Sequence, residues 1–526
     1  MNVVFLHCHY DRGGVTSVVL NQLNSLMADA RIERILLVSG PRSSGMPSEL
    51  PTRVSRVELP DFDYDQRLYD SDSTASRIND IGRDLCEKLQ SHQLASDDTV
   101  LHWHNHSLGK NTALPGVVRT LAEKGWKTLL QIHDFAEDYR PQNYSALAHC
   151  IDANSRADLD RYLYPVARQV HYCTLTTVDA EVLRKSGIPD SHVSFTPNTV
   201  DFKEDVSAKC DEEKDTRLQL IQKAFDLPKS SRWAVYPVRG IRRKNIGELL
   251  LLSQLGAENL YTAITLNPTT MVEAKSYARW RTVAEKVAPR AIFDAGHREG
   301  ISFRDNLIAS DMVLSTSVAE GFGMAFLEPW LFNRGVVARY LNNVVPDFES
   351  AGMKLNRFYR DIMVEGDQVW IDSCRREWEY SFDRAWQDVP RAMRPSLSDH
   401  SLVSDVWLAD TAAVDFALLS PRRQIEVLTR CSEDNGYREM VAQSAEDCVQ
   451  ALRMTDSDKV ISDNAECVRS RFSKKVMQDR LMECYLNLLK QDVDMQVSGP
   501  QGAGAFLDNI LLRQQFHPCR TEEAIG

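Results

Sequence analysis

The chain has 526 residues, 43% of them apolar and 26% charged, with a formal net charge of −12. That length exceeds one ordinary hydrophobic core and predicts two domains with elaborations. The acidic balance argues against nucleic acid and against broad adhesion to anionic lipid, while leaving peripheral membrane contact open. No apolar run reaches the ~18 residues that a membrane span needs, and the first residues carry no basic leader. A cytoplasmic protein without signal peptide or transmembrane segment is therefore expected. Eleven cysteines without a C-x-x-C pair fit reduced thiols better than a disulfide framework or a zinc site.

In chain order, residues 3–6 predict a buried strand, and 18–26 carry apolar residues at helical spacing. Gly13 and Gly14 lie between them, so backbone N–H groups are placed at a potential phosphate. A Gly-Gly pair is equally a plain turn. A second strand is expected at 34–39, a polar loop over 41–74 and an amphipathic helix over 78–89. The strand at 99–106 puts His102, His104 and His106 on one face at its carboxyl end, where open parallel sheets bind ligands. Their i, i+2, i+4 spacing fits either a metal triad or histidines lining a cleft. A helix over 114–124, ended by Gly125, precedes a strand at 127–132 that runs into His133 and Asp134. Further strands are expected at 168–176 and from 193, with a helix over 178–185. The turn P-N-T-V-D at 197–201 leads into a polar linker over 203–214.

Residues 233–238 predict the first strand of a new domain. Arg239 and Lys244 follow it and offer a planar fork and a mobile point charge for a diphosphate, although a solvated basic loop is the plain alternative. A strand at 261–266 and a helix over 277–286 lead to the apolar run 311–315. After that run comes S-T-S-V-A-E-G-F-G-M-A-F-L-E-P-W. Gly321 and Gly323 allow a sharp turn and close approach of a ligand, and 324–328 reads as a helix start forming a second anion site. In helical geometry Glu320 and Glu328 would stand about 12 Å apart. That separation suits a ligand with hydroxyls at both ends and a diphosphate between them, as in a nucleotide sugar. A strand follows at 336–340. Residues 353–452, with Trp370, Trp378, Tyr380, Trp386 and Trp407 among many charges, read as a helical elaboration whose aromatics pack rather than bind sugar. Two helices over 460–489 and a flexible tail over 491–526 complete the chain.

The stretch E-G-F-G-x-x-x-x-E after S-T-S closely resembles the signature of the retaining glycosyltransferases of family 4 and their GT-B relatives. The Gly13-Gly14 loop, the His133-Asp134 step, P-N-T-V-D and the R-x4-K spacing of Arg239 and Lys244 stand in that family's order. Thr199 occupies the place of the family's glycine. The resemblance covers about 1–342 and the terminal helices. It implies an α/β protein of GT-B fold, two doubly wound Rossmann-like domains facing a cleft. The acceptor-side domain would be 1–202 and the nucleotide-sugar domain 203–460, with 353–452 as its elaboration and 461–490 crossing back to the first domain. By resemblance His133 and Glu320 meet the donor hexose, Glu328 holds the ribose, and Arg239 and Lys244 clamp the diphosphate. Gly13, Gly14, Gly321, Phe322 and Gly323 complete the donor site. His104, His106 and Asp134 fall on the acceptor side, where 136–144 forms part of the wall. The implied reaction moves a hexose from a UDP- or GDP-sugar to a hydroxyl of a small solute, a glycan or a lipid headgroup, with no metal or other cofactor. A GT-B epimerase and a non-catalytic nucleotide-sugar-binding subunit are the alternatives.

Overall fold

The computed structural model describes residues 1–200, 207–395 and 412–521. The chain divides into two units: Met1–Thr199, Trp386–His400 and Phe472–Arg513 form the first, and Val200–Ala385, Ser401–Arg471 and Gln514–Gly526 the second.

The first unit is built on seven strands: β1 (Asn2–Leu6), β2 (Arg34–Ser39), β3 (Val54–Glu58), β4 (Thr99–His104), β5 (Lys127–Ile132), β6 (Val170–Thr174) and β7 (Val193–Phe195). They lie in the order β3-β2-β1-β4-β5-β6-β7, all parallel. Val3 pairs with Ile35 on one side and Val100 on the other, which fixes the register at the centre. Sheets of this kind are covered on both faces, so their strands are continuous apolar runs; Val3, Val4, Phe5 and Leu6 are fully buried. The intervening helices are α1 (Gly14–Leu26), α2 (Ser71–Ser91), α3 (Leu114–Glu123), α4 (Pro141–His149), α5 (Arg156–Leu163) and α6 (Thr177–Lys185). The expected loop over 41–74 holds strand β3. Its V-S-R-V-E sequence is half polar because an edge strand needs only one buried face.

The second unit repeats the plan. Helices α7 (Ser207–Ala224), α8 (Ile246–Leu255), α9 (Met271–Val287), α10 (Phe303–Ala309) and α11 (Val345–Ser350) alternate with β8 (Arg232–Arg239), β9 (Leu260–Leu266), β10 (Ala291–Ile292), β11 (Met312–Ser315), β12 (Val336–Arg339) and β13 (Phe358–Tyr359). The sheet order is β10-β9-β8-β11-β12-β13, again all parallel. The region 353–452 is less uniformly helical than expected. Strand β13 extends the main sheet, and a short antiparallel ribbon joins β14 (Met363–Glu365) to β15 (Ala413–Asp415). Around them lie α12 (Gln368–Ala385), α13 (Pro421–Glu433), α14 (Asn435–Ser444) and α15 (Glu446–Arg453). Trp378 and Trp386 are buried as packing residues, and Tyr380 is exposed; Trp407 and the turn residue Asp201 lie outside the described residues.

The terminal helices divide between the units. Helix α16 (Asp458–Arg471) stays with the second, whereas α17 (Lys474–Leu489) belongs to the first. Met477, Leu481, Tyr485 and Leu488 of α17 enter the core that holds Val3, Leu23 and Leu129. The tail expected to be flexible packs closely as far as it is described. Ser498 bridges to Val166, and α18 (Phe506–Leu512) stacks Phe506 on Tyr164 with ring centres 3.8 Å apart. Arg513 pairs with Asp138 at 2.8 Å and with Asp179, and Phe516 and Cys519 are buried in the second unit. Composition alone suggested disorder, since glycines and glutamines precede the apolar residues that anchor this segment.

Candidate active site

In a doubly wound sheet, ligands bind beyond the carboxyl ends of the strands where the strand order reverses. In the first unit that point lies between β1 and β4, and in the second between β8 and β11. Each of the sequence-derived candidates lies in or near a loop leaving one of these strands or the strand beside it.

In the first unit, Gly13 caps α1 with an extended backbone and no capping side chain, and the first turn of α1 carries no acid. A Cβ on Gly14 would meet nothing within 4 Å, so the space in front of it is open. The loop before it is pinned by Asp11, whose carboxylate accepts from the Ser44 amide and hydroxyl and pairs with Arg42 at 3.3 Å. After β5, His133 Nε2 lies 2.8 Å from His104 Nδ1. Burial lowers the His133 imidazole to about 4, so it is neutral at physiological pH and acts as a hydrogen-bonding group rather than a cation. Asn105 aligns this corner. It takes a left-handed conformation, φ 56°, and its Oδ1 accepts from the His133 and Asp134 amides. Sequence reading passed over Asn105, although an asparagine directly after a strand is a signal for that conformation. Asp134 pairs with Arg140 at 2.7 Å.

The three histidines do not converge. The rings of His102 and His104 stack 4.5 Å apart, as two residues on one strand face should. His102 is used up by Tyr485 and Gln131, whereas His106 lies past the strand end and its Nε2 donates to the Leu163 carbonyl at 2.9 Å.

In the second unit, Arg239 is the last residue of β8, and its one described side-chain hydrogen bond is a 3.4 Å contact to Thr269. Lys244 is buried and bonds Glu320 directly. Ser317 donates to the same carboxylate at 2.5 Å and is itself 2.5 Å from the Tyr236 hydroxyl, and Arg243 stands 3.7 Å from Glu320. Burial would raise the Glu320 carboxyl, but Lys244 and Arg243 outweigh it and hold the group below its ordinary value. Burial pushes the Lys244 ammonium down against the pull of Glu320. Tyr236, Ser317 and Asn343, whose amide donates to the Glu320 carbonyl at 3.1 Å, were not foreseen in the sequence.

The signature stretch departs from the expected α-helix start. It forms two 3-10 turns, Met324–Phe326 and Glu328–Phe332, introduced by Gly323 at φ 83°. A Cβ at Gly323 would collide with the Phe326 ring at 2.7 Å. Pro329 and the left-handed Asn333 hold the second turn short. A helix dipole therefore contributes little here, and side chains must supply the charge. Phe322 turns inward against Phe348, with ring centres 5.6 Å apart, which leaves its backbone rather than its ring for a ligand.

Glu328 is half-buried and has no hydrogen-bond or ion-pair partner among the described residues. Burial alone pushes its carboxyl up to about 7. Because the folded value lies above the unfolded one, the unfolded state loses its proton first, and stability falls as pH rises from about 4.5 to about 7. Glu328→Gln should thus be more stable than the parent at pH 8 by ~1–3 kcal/mol and indistinguishable from it near pH 4.5. Urea midpoints measured at both pH values check this.

Behind Lys244, a buried triad supports the loop. Arg339 binds Glu248 at 2.7 Å and Asp415 at 2.8 Å, and Asn245 donates to Glu248 at 2.8 Å. Burial raises the Glu248 carboxyl in spite of Arg339.

No family model matches the chain. Mannosylglucosyl-3-phosphoglycerate synthase of Petrotoga mobilis is 27% identical over 388 residues, which span 73% of each protein. Sucrose-phosphate synthase of Thermosynechococcus elongatus superimposes with a TM-score of 0.53 at 10% identity, covering 93% of this chain and 99% of that one. HepE of Anabaena, solved with UDP and glucose, gives 0.50 at 11% identity over 92% and 99%. The fold is that of the GT-B glycosyltransferases. Two parallel Rossmann-like sheets of seven and six strands, with a largely helical region after them, are its components. Among the described residues no helix is long and apolar enough to cross a membrane.

Proposed function

We propose that this chain is a retaining glycosyltransferase that moves a hexose from a UDP- or GDP-sugar to a hydroxyl acceptor. The observation that carries the reading is Glu328, a carboxylate without a protein partner in a loop at the carboxyl end of the second sheet. Such a group is costly to bury unless a ligand uses it, and ribose hydroxyls donate two hydrogen bonds to a carboxylate. Arg239, whose one side-chain hydrogen bond among the described residues is to Thr269, serves the diphosphate. Lys244 is already occupied by Glu320, so it acts chiefly by keeping that carboxylate ionised and fixed below the hexose. The first unit offers the neutral His133 imidazole as a hydrogen-bonding group and the open N-terminus of α1 at Gly13 and Gly14 as an anion site. On this reading Arg239 takes the place of a divalent ion at the diphosphate, so no metal takes part in the transfer.

The acceptor is a small anionic solute. The Petrotoga relative is named for a product built on 3-phosphoglycerate. In the first unit the exposed Lys110 has no carboxylate partner among the described residues and is repelled by Arg140. An anion would relieve that repulsion.

The decisive experiment incubates UDP- and GDP-sugars with pooled acceptors, phosphorylated hydroxy acids and neutral glycans alike, and reads products by mass spectrometry. Acceptor-dependent glycoside is expected, with equal turnover in Mg²⁺, in Mn²⁺ and with neither added. Epimerised donor without acceptor would replace this reading by an epimerase. Arg239→Ala should weaken nucleoside diphosphate binding about ten- to a hundredfold, measured by calorimetry, as loss of a charge-assisted bond requires.

A further inference from the structure

Away from the first unit's switch point, beside the edge strand β7, a second cluster plays no part in this chemistry. His171 and Cys173 are two residues apart on β6 and so project from the same face of the sheet. Helix α17 lays Cys484 over them. One ligand atom from each of the three residues falls within 4.8 Å of the other two. The sulfurs of Cys173 and Cys484 are 3.9 Å apart. Two thiolates bound at ~2.3 Å to one tetrahedral zinc stand roughly 3.8 Å apart, whereas a disulfide needs about 2.05 Å. The spacing therefore matches a shared cation and not a bond between the sulfurs.

The surroundings are built in the same sense. Ser194 Oγ lies 2.7 Å from His171 Nε2 and fixes the ring, and Thr196 donates to the Cys173 sulfur at 3.4 Å. His171, Cys484 and Ser194 also line a pocket of about 470 Å³ bounded by β7 and α17, which gives a cation an entry path.

We propose that His171, Cys173 and Cys484 bind one zinc-class divalent cation, with water from this pocket as the fourth ligand. Binding releases the two thiol protons to solvent and leaves two Zn–S bonds and one Zn–N bond. Cys484 lies 311 residues beyond Cys173, so the cation ties the returning helix to the sheet it covers.

The test uses the full-length protein, purified with micromolar zinc and dialysed, and measures metal by plasma mass spectrometry. About one zinc per chain is expected in the parent and less than a tenth of that in Cys484→Ser and His171→Gln. Cobalt exchanged into the parent should give thiolate-to-cobalt charge-transfer absorption, and zinc should raise the parent's Tm but not that of the variants. Equal metal in parent and variants, or a thiol titre showing Cys173 and Cys484 joined as a disulfide, would overturn the site. Should a variant fail to fold, the cobalt spectrum of the parent decides alone: without the charge-transfer band the proposal is wrong.

Discussion

Glu320→Gln is expected to lower kcat by about 10²–10³-fold while leaving affinity for the free nucleoside diphosphate nearly unchanged. Positive charge builds on the hexose as its bond to the diphosphate breaks, and a fixed anion below the ring is worth most at that moment. Lys244, Arg243 and Ser317 keep Glu320 ionised and immobile before substrate arrives, so no reorganisation is needed later. Glutamine retains the shape and loses the charge. The variant also leaves the Lys244 ammonium buried beside a neutral amide, so the fold should weaken, and Lys244→Met added to Glu320→Gln should recover part of that loss. Steady-state kinetics with calorimetry on UDP and GDP separate these effects. Intact kcat with abolished diphosphate binding would mean that the donor lies the other way along the loop.

The largest stability effect is expected at Arg339, whose guanidinium is taken up by Glu248 and Asp415. Arg339→Leu strands the Glu248 and Asp415 carboxylates in the interior, and removing one member of a buried ionic cluster costs about 3–5 kcal/mol. Against total stabilities of ~5–15 kcal/mol that is a large fraction. The damage should reach the site, because Glu248 also holds Asn245, the neighbour of Lys244. Urea denaturation should show a lower midpoint, and nucleotide affinity should fall with it, because Arg339 acts through Glu248 and Asn245. An unchanged midpoint would mean that the triad contributes nothing net. Adding Glu248→Gln and Asp415→Asn to Arg339→Leu should restore much of the stability, since neutral amides are cheaper to leave unpaired.

The sequence made the parallel sheets legible because strands buried on both faces are written as unbroken apolar runs, as at Val3–Leu6 and Met312–Ser315. It made the ligand end of each sheet legible because glycines, histidines and cations cluster where such runs stop. Less was visible where the structure depends on partners distant in the chain. Strand β3 looks polar because only one of its faces is covered. The signature turn is 3-10 rather than α because Gly323 and Pro329 act on the backbone in ways that hydrophobic spacing does not record. Residues 491–521 look like a tail until Tyr164, Asp138 and Asp179 are seen to receive them. The zinc ligands escaped notice for the same reason: a C-x-x-C pair announces itself locally, and Cys173 with Cys484 does not.

The split composition of the first unit bears on how the protein is made. Its first segment ends at Thr199, but Met477, Leu481 and Tyr485, which complete its core, come off the ribosome nearly three hundred residues later. At ordinary synthesis rates of ~5–20 residues per second, that face of the nascent sheet waits roughly 15–60 s for its cover. During that interval it presents an apolar surface to the cell, and a chaperone or the still-growing second unit must shield it. Synthesis of α17, rather than collapse of the early strands, therefore sets the earliest time at which this unit can finish folding.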